Sequence, residues 1–369
     1  MNRIALAVLA VSFCVPAHAG SLRFGTGMES LLAGEPDALQ TVNFDARKTV
    51  KTKKPAAVTA PAAPAVPDVP KPVPAAEPEF IMPAEDAAAL VAAWKKNFAE
   101  LPATKEHSEF LEAGKVPILI VSPKEHQLGK SPAAFIDGTV YVNQLALGKL
   151  FAELYAQGVT KKDELFAVVS WRLLPFISHE VRHGMTSAAL AEAVGRPLHA
   201  ALAEGETLSF ADQAVVKAAA VKAHPEMWKP VLKKPDALEA LVAKAAADGV
   251  PGLESMVGMY YGLPFILQSE RKDLETRYRE QLPGLERKLM GIRKYKELIA
   301  DPATKPEVVA ELQMRLSMAP TEEDAASHVQ KCTEAVEFFS DNGLYKKARK
   351  FFEKRYDELA DQLEAGAAK

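Results

Sequence analysis

The pattern of hydrophobic and polar positions predicts a folded region that begins near Glu79 and opens with a helix from Pro83 to Trp94. Proline near the first turn, followed by acidic residues, is typical of a helix N-terminus. A short apolar and β-branched run at residues 115–122 predicts a strand. Residues 134–143 surround an Asp-Gly pair, which predicts two short strands joined by a tight turn.

Helical patterns dominate the rest of the chain. They predict one helix from Gln144 to Gln157 and a longer one from Lys161 to about Ala193. The stretch 165–177 is strongly apolar, which indicates that the longer helix is buried. Pro175 should kink this helix or mark its true start, because proline cannot donate a backbone hydrogen bond. Gly195-Arg-Pro197 predicts its end.

The N-terminal residues have a different character from the rest. Residues 1–19 follow the pattern of a secretory signal peptide, with an apolar core from Ile4 to Val15 and a small-residue cleavage site at Ala17-His-Ala19. Residues 20–54 show weak periodicity, and their order stays open. Residues 55–78 are mostly Pro, Ala and Val, which predicts an extended linker. We therefore expect the mature chain to be secreted or periplasmic.

Charge, hydrophobicity and cysteine content limit the classes of protein to which this chain can belong. The chain has 45 Lys and Arg against 48 Asp and Glu, a net charge of −3, so no nucleic-acid binding is expected. After signal removal, no stretch is long and apolar enough to predict a transmembrane segment. Removal of Cys14 with the signal peptide would leave Cys332 as the one cysteine, so no internal disulfide is expected. Cys332 is predicted to be a small buried residue. The oligomeric state is left open.

The candidate chemistry lies in the long helix, at His179-Glu180-Val181-Arg182-His183, which fits H-E-x-x-H. Residues four apart share one helix face, so His179 and His183 can bind one Zn²⁺. Glu180 lies at the edge of that face, where it can take a proton from an attacking water. The alternative is an ordinary amphipathic helix, but buried polar residues need partners. Arg182 is expected to pair with an acid and fix the helix.

This motif resembles that of the zincin metallopeptidases, in particular the gluzincin-like branch whose third zinc ligand is a glutamate on a following helix. The resemblance covers about residues 116–220. It implies zinc-dependent hydrolysis of peptide bonds in a peptide or protein substrate, with Glu180 as the general base. Two alternatives stay open: a non-catalytic, metal-stabilised binding protein, and a metal-free helical scaffold tethered by its Pro/Ala spacer.

The resemblance places the third ligand in the next helix, predicted through residues 202–213. Glu204 and Glu206 both follow the motif at a suitable spacing. The run Glu204-x-Glu206-x-x-x-Phe-Ala resembles a family form in which the first glutamate binds zinc, so Glu204 is preferred and Glu206 is the alternate. The small residue expected three positions after the ligand, and the Asp or Asn expected four after it, are replaced by Thr207 and Leu208.

The resemblance also implies an edge strand beside the metal helix, able to bind an extended peptide by β-addition. An ordinary hairpin packed on a helix is the alternative. The candidate residues for this strand are Val140, Tyr141, Val142 and Asn143. Candidate donors to a developing oxyanion, by residue type alone, are His224, Tyr260 and Tyr261.

Together these patterns predict an α+β fold, mainly α-helical, with a small zincin-like sheet packed on the H-E-x-x-H helix and a helical C-terminal region. In the C-terminal region, residues 270–296 carry mixed charges at spacings that suit i,i+4 pairs. The predicted division is a signal peptide (1–19), a segment of uncertain order (20–54), a linker (55–78), a metallopeptidase-like domain (79–249) and a helical region (250–369).

Overall fold

The computed structural model describes residues 80–122, 128, 131–229 and 237–367. The predicted signal peptide, the segment 20–54 and the linker lie outside the described residues, and the predicted domain division stays a prediction. The described part is mainly helical with one small sheet, so the predicted fold class is confirmed.

Two helices and three strands form the first part of the described chain. They are α1 (Ala84–Glu100), α2 (Lys105–Glu112), β1 (Ile118–Val121), β2 (Ala133–Ile136) and β3 (Thr139–Asn143). The remaining elements are helices. They are α3 (Gln144–Ala156), α4 (Lys162–Val194), α5 (Ala203–Ala223), α6 (Ala237–Ala247), α7 (Gly249–Tyr261), α8 (Arg271–Ala300), α9 (Pro306–Met318), α10 (Glu322–Ser340) and α11 (Asn342–Ala367).

The sheet has the strand order β1-β3-β2. Strand β3 pairs in parallel with β1 and antiparallel with β2, so it is the central strand. Asp137 and Gly138 connect β2 to β3 with φ values of 46° and 84°. Positive φ at both positions is typical of a type I′ hairpin turn, so the predicted hairpin is confirmed.

Helix α4 carries the H-E-x-x-H motif and is continuous over 33 residues. It runs through Pro175, so the expectation that Pro175 marks its start is wrong. The hydroxyl of Ser178 donates to the carbonyl of Pro175 at 2.8 Å within this turn. Gly195 ends the helix with a φ of 91°, a left-handed conformation that glycine adopts without steric cost, as the sequence predicts.

Helix α4 is also the central element of the fold. It contacts α1, α2, α3, β2 and β3, and it packs on α5 and α11. Most of the apolar residues of its first half are buried, as predicted, while Leu165, Phe166 and Phe176 are partly exposed. The buried residues are Val168, Val169, Trp171, Leu173, Leu174 and Ile177. This burial fixes the helix that carries the candidate site between the sheet and the C-terminal helices.

The C-terminal helices form two groups around α5 and the end of α4. Helix α7 packs on α5, while α8 and α10 pack on each other. Arg271 and Arg279 of α8 each pair with Glu275 four residues away, which confirms the predicted i,i+4 pairing. Cys332 is buried at 4% exposure, as predicted. No helix within the described ranges has the length and hydrophobicity of a membrane span.

Candidate metal centre

The two histidines of the motif converge on one point. His179 and His183 lie one turn apart on α4, and their Nε2 atoms are 3.1 Å from each other. The rings meet edge to face, with centroids 4.9 Å apart. His179 is only 4% exposed. Two imidazole nitrogens directed at the same point can chelate a single metal ion.

Glu206 is a buried carboxylate that faces both imidazoles. Its Oε2 lies 3.6 Å from Nε2 of His179, and its Oε1 lies 3.6 Å from Nε2 of His183. Donor atoms bound tetrahedrally at 2.0–2.1 Å from Zn²⁺ are about 3.3 Å from one another. The three separations of 3.1, 3.6 and 3.6 Å bracket this value, so the residues fit a zinc ion with small adjustments.

Glu204, the ligand preferred from the sequence, lies elsewhere, so that preference is corrected. Its Oε1 accepts a hydrogen bond from the backbone N–H of Leu267 at 2.9 Å. Burial raises the pKa of its carboxyl from 4.5 to about 7, and the bond from Leu267 offsets this only in part. Residues two apart on a helix point in nearly opposite directions, so only Glu206 faces α4. Ser209 is the small residue three positions after Glu206 and was the available signal.

Glu180 lies beside this donor set. One of its carboxylate oxygens is within 4.8 Å of ring nitrogens of His179 and His183. Its Oε2 accepts a hydrogen bond from the backbone N–H of Phe135 in β2 at 2.8 Å. The residue is 5% exposed. The expected general base is therefore next to the candidate centre, and the neighbouring strand orients it.

The strand beside the site is β2, which corrects the expectation for Val140–Asn143. Those residues belong to β3, and hydrogen bonds to β1 and β2 occupy both of its sides. Asn143 instead caps α3, since its side chain accepts hydrogen bonds from the N–H groups of Leu145 and Ala146. A peptide cannot pair with a central strand, so β-addition at β3 is excluded.

The three proposed oxyanion donors differ in position. His224 is at the far end of α5, roughly 27 Å along the axis from Glu206, and it stacks on Trp171 at 4.0 Å. Tyr260 is half exposed. The ring of Tyr261 packs on Phe210 at 5.9 Å, and Phe210 packs on His179 at 4.4 Å. Tyr261 is thus the one of the three that lies a single ring away from the candidate metal centre.

A buried cluster near the site was not predicted from the sequence. Arg182 donates through Nη2 to Oδ1 of Asp212 at 2.8 Å, which confirms that Arg182 pairs with an acid. Oδ2 of Asp212 lies 2.8 Å from Nε2 of His107, a fully buried histidine of α2. His107 and Asp212 are 105 residues apart in sequence, and no local spacing connects them.

No family model matches this chain, and it matches no curated protein and no solved structure. The geometry of the site is therefore the basis for the function proposed below.

Proposed function

We propose that this protein hydrolyses peptide bonds in a peptide or protein substrate with a zinc ion held by His179, His183 and Glu206. The observation that carries the proposal is the position of Glu206, whose two oxygens face the two imidazoles at 3.6 Å each. Two histidines and one glutamate form a donor set used by catalytic zinc sites, which leave the fourth position for water or substrate.

The roles of the protein groups follow from their positions. A zinc ion in such a site lowers the pKa of water and polarises a carbonyl group. Glu180 accepts the proton of the attacking water and then donates it to the nitrogen of the leaving amine. Tyr261 is our candidate to donate a hydrogen bond to the oxyanion that develops on the scissile carbonyl.

Strand β2 is our candidate for substrate alignment, in place of β3. The N–H of Asn143 donates to the carbonyl of Pro132, so Pro132 faces β3. Hydrogen-bonding direction alternates along a strand, so Ala133 and Phe135 direct their backbone groups away from β3. The N–H of Phe135 already reaches Glu180 on that side. An extended peptide paired with this edge would place its backbone beside the candidate centre.

A non-catalytic metal site is the second candidate, and one observation favours it. A carboxylate oxygen of Glu180 lies within 4.8 Å of ring nitrogens of both histidines, so it could fill the fourth position, and structural zinc sites have four protein ligands. The metal-free scaffold also stays open as an alternative.

The localisation is a proposal as well. Residues 1–19 follow the pattern of a signal peptide but lie outside the described part of the chain, so secretion or export to the periplasm is proposed from the sequence alone.

Metal analysis tests the proposal first. Protein purified without chelators should carry about one zinc per chain, and His183→Ala should carry almost none, because it removes one of three ligands. His199→Ala is a matched control, since that histidine pairs with Glu334 at 3.6 Å and lies outside the candidate donor set. A wild-type protein that binds no zinc would favour the metal-free scaffold.

A further inference from the structure

The carboxylate of Asp212 joins three helices in one buried cluster. Asp212 lies on α5, and its side chain is 8% exposed. It contacts Arg182 of α4 through Oδ1 and His107 of α2 through Oδ2, at 2.8 Å each. The ring of His107 stacks on Phe98 at 5.4 Å with the planes 1° apart, so this partner is itself held in place.

This cluster lies close along the chain to the residues of the metal centre. Arg182 directly precedes His183 on α4. Asp212 follows Glu206 by six residues on α5, which is roughly 9 Å along the helix axis. The contact therefore fixes the rotation and axial position of α5 on α4 close to the point where Glu206 meets the two imidazoles. Metal-ligand distances vary by only about 0.2 Å, so a shift of about 1 Å would disrupt metal coordination.

We propose that Asp212, bound by Arg182 and His107, is a positioning residue for the metal centre, which it serves by holding Glu206 opposite the two histidines. This inference rests on the proposed zinc site. Asp212 acts through the placement of α5 and takes no chemical part in hydrolysis.

The charge of Asp212 gives the contact its strength. Burial disfavours the ionised carboxyl, but the charges and hydrogen bonds of His107 and Arg182 outweigh burial and hold its pKa below the ordinary value. Hydrogen bonds to an ionised, buried acceptor are short and directional. Glu106, the other acid near Arg182, is different. It lies at 3.7 Å with its side chain 71% exposed, and such solvent-screened pairs contribute little.

Zinc affinity of the metal-free protein tests the inference, measured by competition with a chromophoric chelator. Asp212→Asn should weaken zinc binding by tenfold or more, as is typical when a group that orients a ligand is lost. Glu106→Gln removes an acid beside the same arginine without touching the buried contact, and it should stay within about twofold of wild type. Equal affinities for wild type and Asp212→Asn would overturn the inference and leave the zinc site intact.

Bound Co²⁺ separates positioning from general loss of stability, because its visible absorption reports the geometry of its ligands. We expect the Co²⁺ spectrum of Asp212→Asn to differ from that of wild type and the spectrum of Glu106→Gln to match it. If Asp212→Asn does not fold, the double variant Arg182→Met/Asp212→Leu can replace it, because it leaves neither of these two charges unpaired. It should show the same loss of zinc affinity. An unchanged Co²⁺ spectrum would overturn the inference even if zinc affinity falls, while a wild type that binds no zinc would overturn the proposed function itself.

Discussion

The backbone N–H of Phe135 donates a hydrogen bond of 2.8 Å to the carboxylate of Glu180, 45 residues further along the chain. The bond joins β2, an outer strand of the sheet, to the motif helix at the residue expected to act as the base. The orientation of Glu180 therefore depends on how the sheet is packed on α4.

Phe135→Pro removes the N–H, whereas Phe135→Ala removes the ring and keeps the N–H. A hydrogen bond to a charged group contributes about 1.5–3 kcal/mol, so loss of the N–H should lower turnover by about tenfold or more relative to Phe135→Ala. Proline is tolerated on outer strands, and zinc content should be equal in the two variants. Turnover per bound zinc is the measurement. Equal turnover would show that this bond does not orient the base.

The two glutamates of α5 should differ in their effect on zinc. Glu206→Gln removes a carboxylate that lies 3.6 Å from both imidazoles, so zinc affinity should fall at least tenfold. Glu204→Gln changes a carboxylate bonded to the backbone of Leu267, so its zinc affinity should stay near that of wild type. Chelator competition on both variants gives the ranking. The reverse ranking would return the third ligand to Glu204.

The elements that local sequence encodes were predicted, including the hairpin around Asp137-Gly138, the end of α4 at Gly195 and the motif that brings His179 and His183 together. The order of the strands was not predicted, because it depends on which strand β1 pairs with. Its parallel pairing with β3 makes β3 central, and no local pattern encodes that choice.

The ranking of Glu204 and Glu206 and the Asp212 cluster could not be predicted for a related reason. Both depend on the rotation of α5 about its axis, which distant contacts set. Glu204 and Glu206 are two residues apart on the same helix, and packing against α4 decides which of them faces the histidines. His107 gave no local signal, because its partner is on a helix that follows much later in the chain.

Glu204 should make stability depend on pH. Its pKa is about 7 in the folded protein against an ordinary value of 4.5, so the folded state binds this proton more tightly. The resulting stabilisation is fully present below about pH 4.5 and is lost as pH rises toward 7, by at most about 3 kcal/mol. With a chelator present, the free energy of unfolding of wild type should fall across this window relative to Glu204→Gln. Parallel profiles would contradict the raised pKa.

Gly184 should resist a side chain because the sheet lies close to α4 there. An added Cβ would lie 2.8 Å from a methyl carbon of Val116 and 3.2 Å from the ring of Phe135. Gly291 in α8 has nothing within 4 Å of an added Cβ. Gly291→Ala should therefore raise stability by up to about 1 kcal/mol, while overpacking in Gly184→Ala should cost about 1–3 kcal/mol. Melting temperatures that rise equally in both would disprove close packing at Gly184.

The most direct test of the proposed function is Glu180→Gln, with zinc per chain, melting temperature and cleavage of a broad peptide library measured on the same preparations. Glutamine keeps the shape and can still accept from Phe135, but it cannot take a proton. Zinc content and melting temperature should stay near wild type, while hydrolysis falls by about a hundredfold or more. If Glu180→Gln cleaves peptides as well as wild type, the proposed mechanism is wrong.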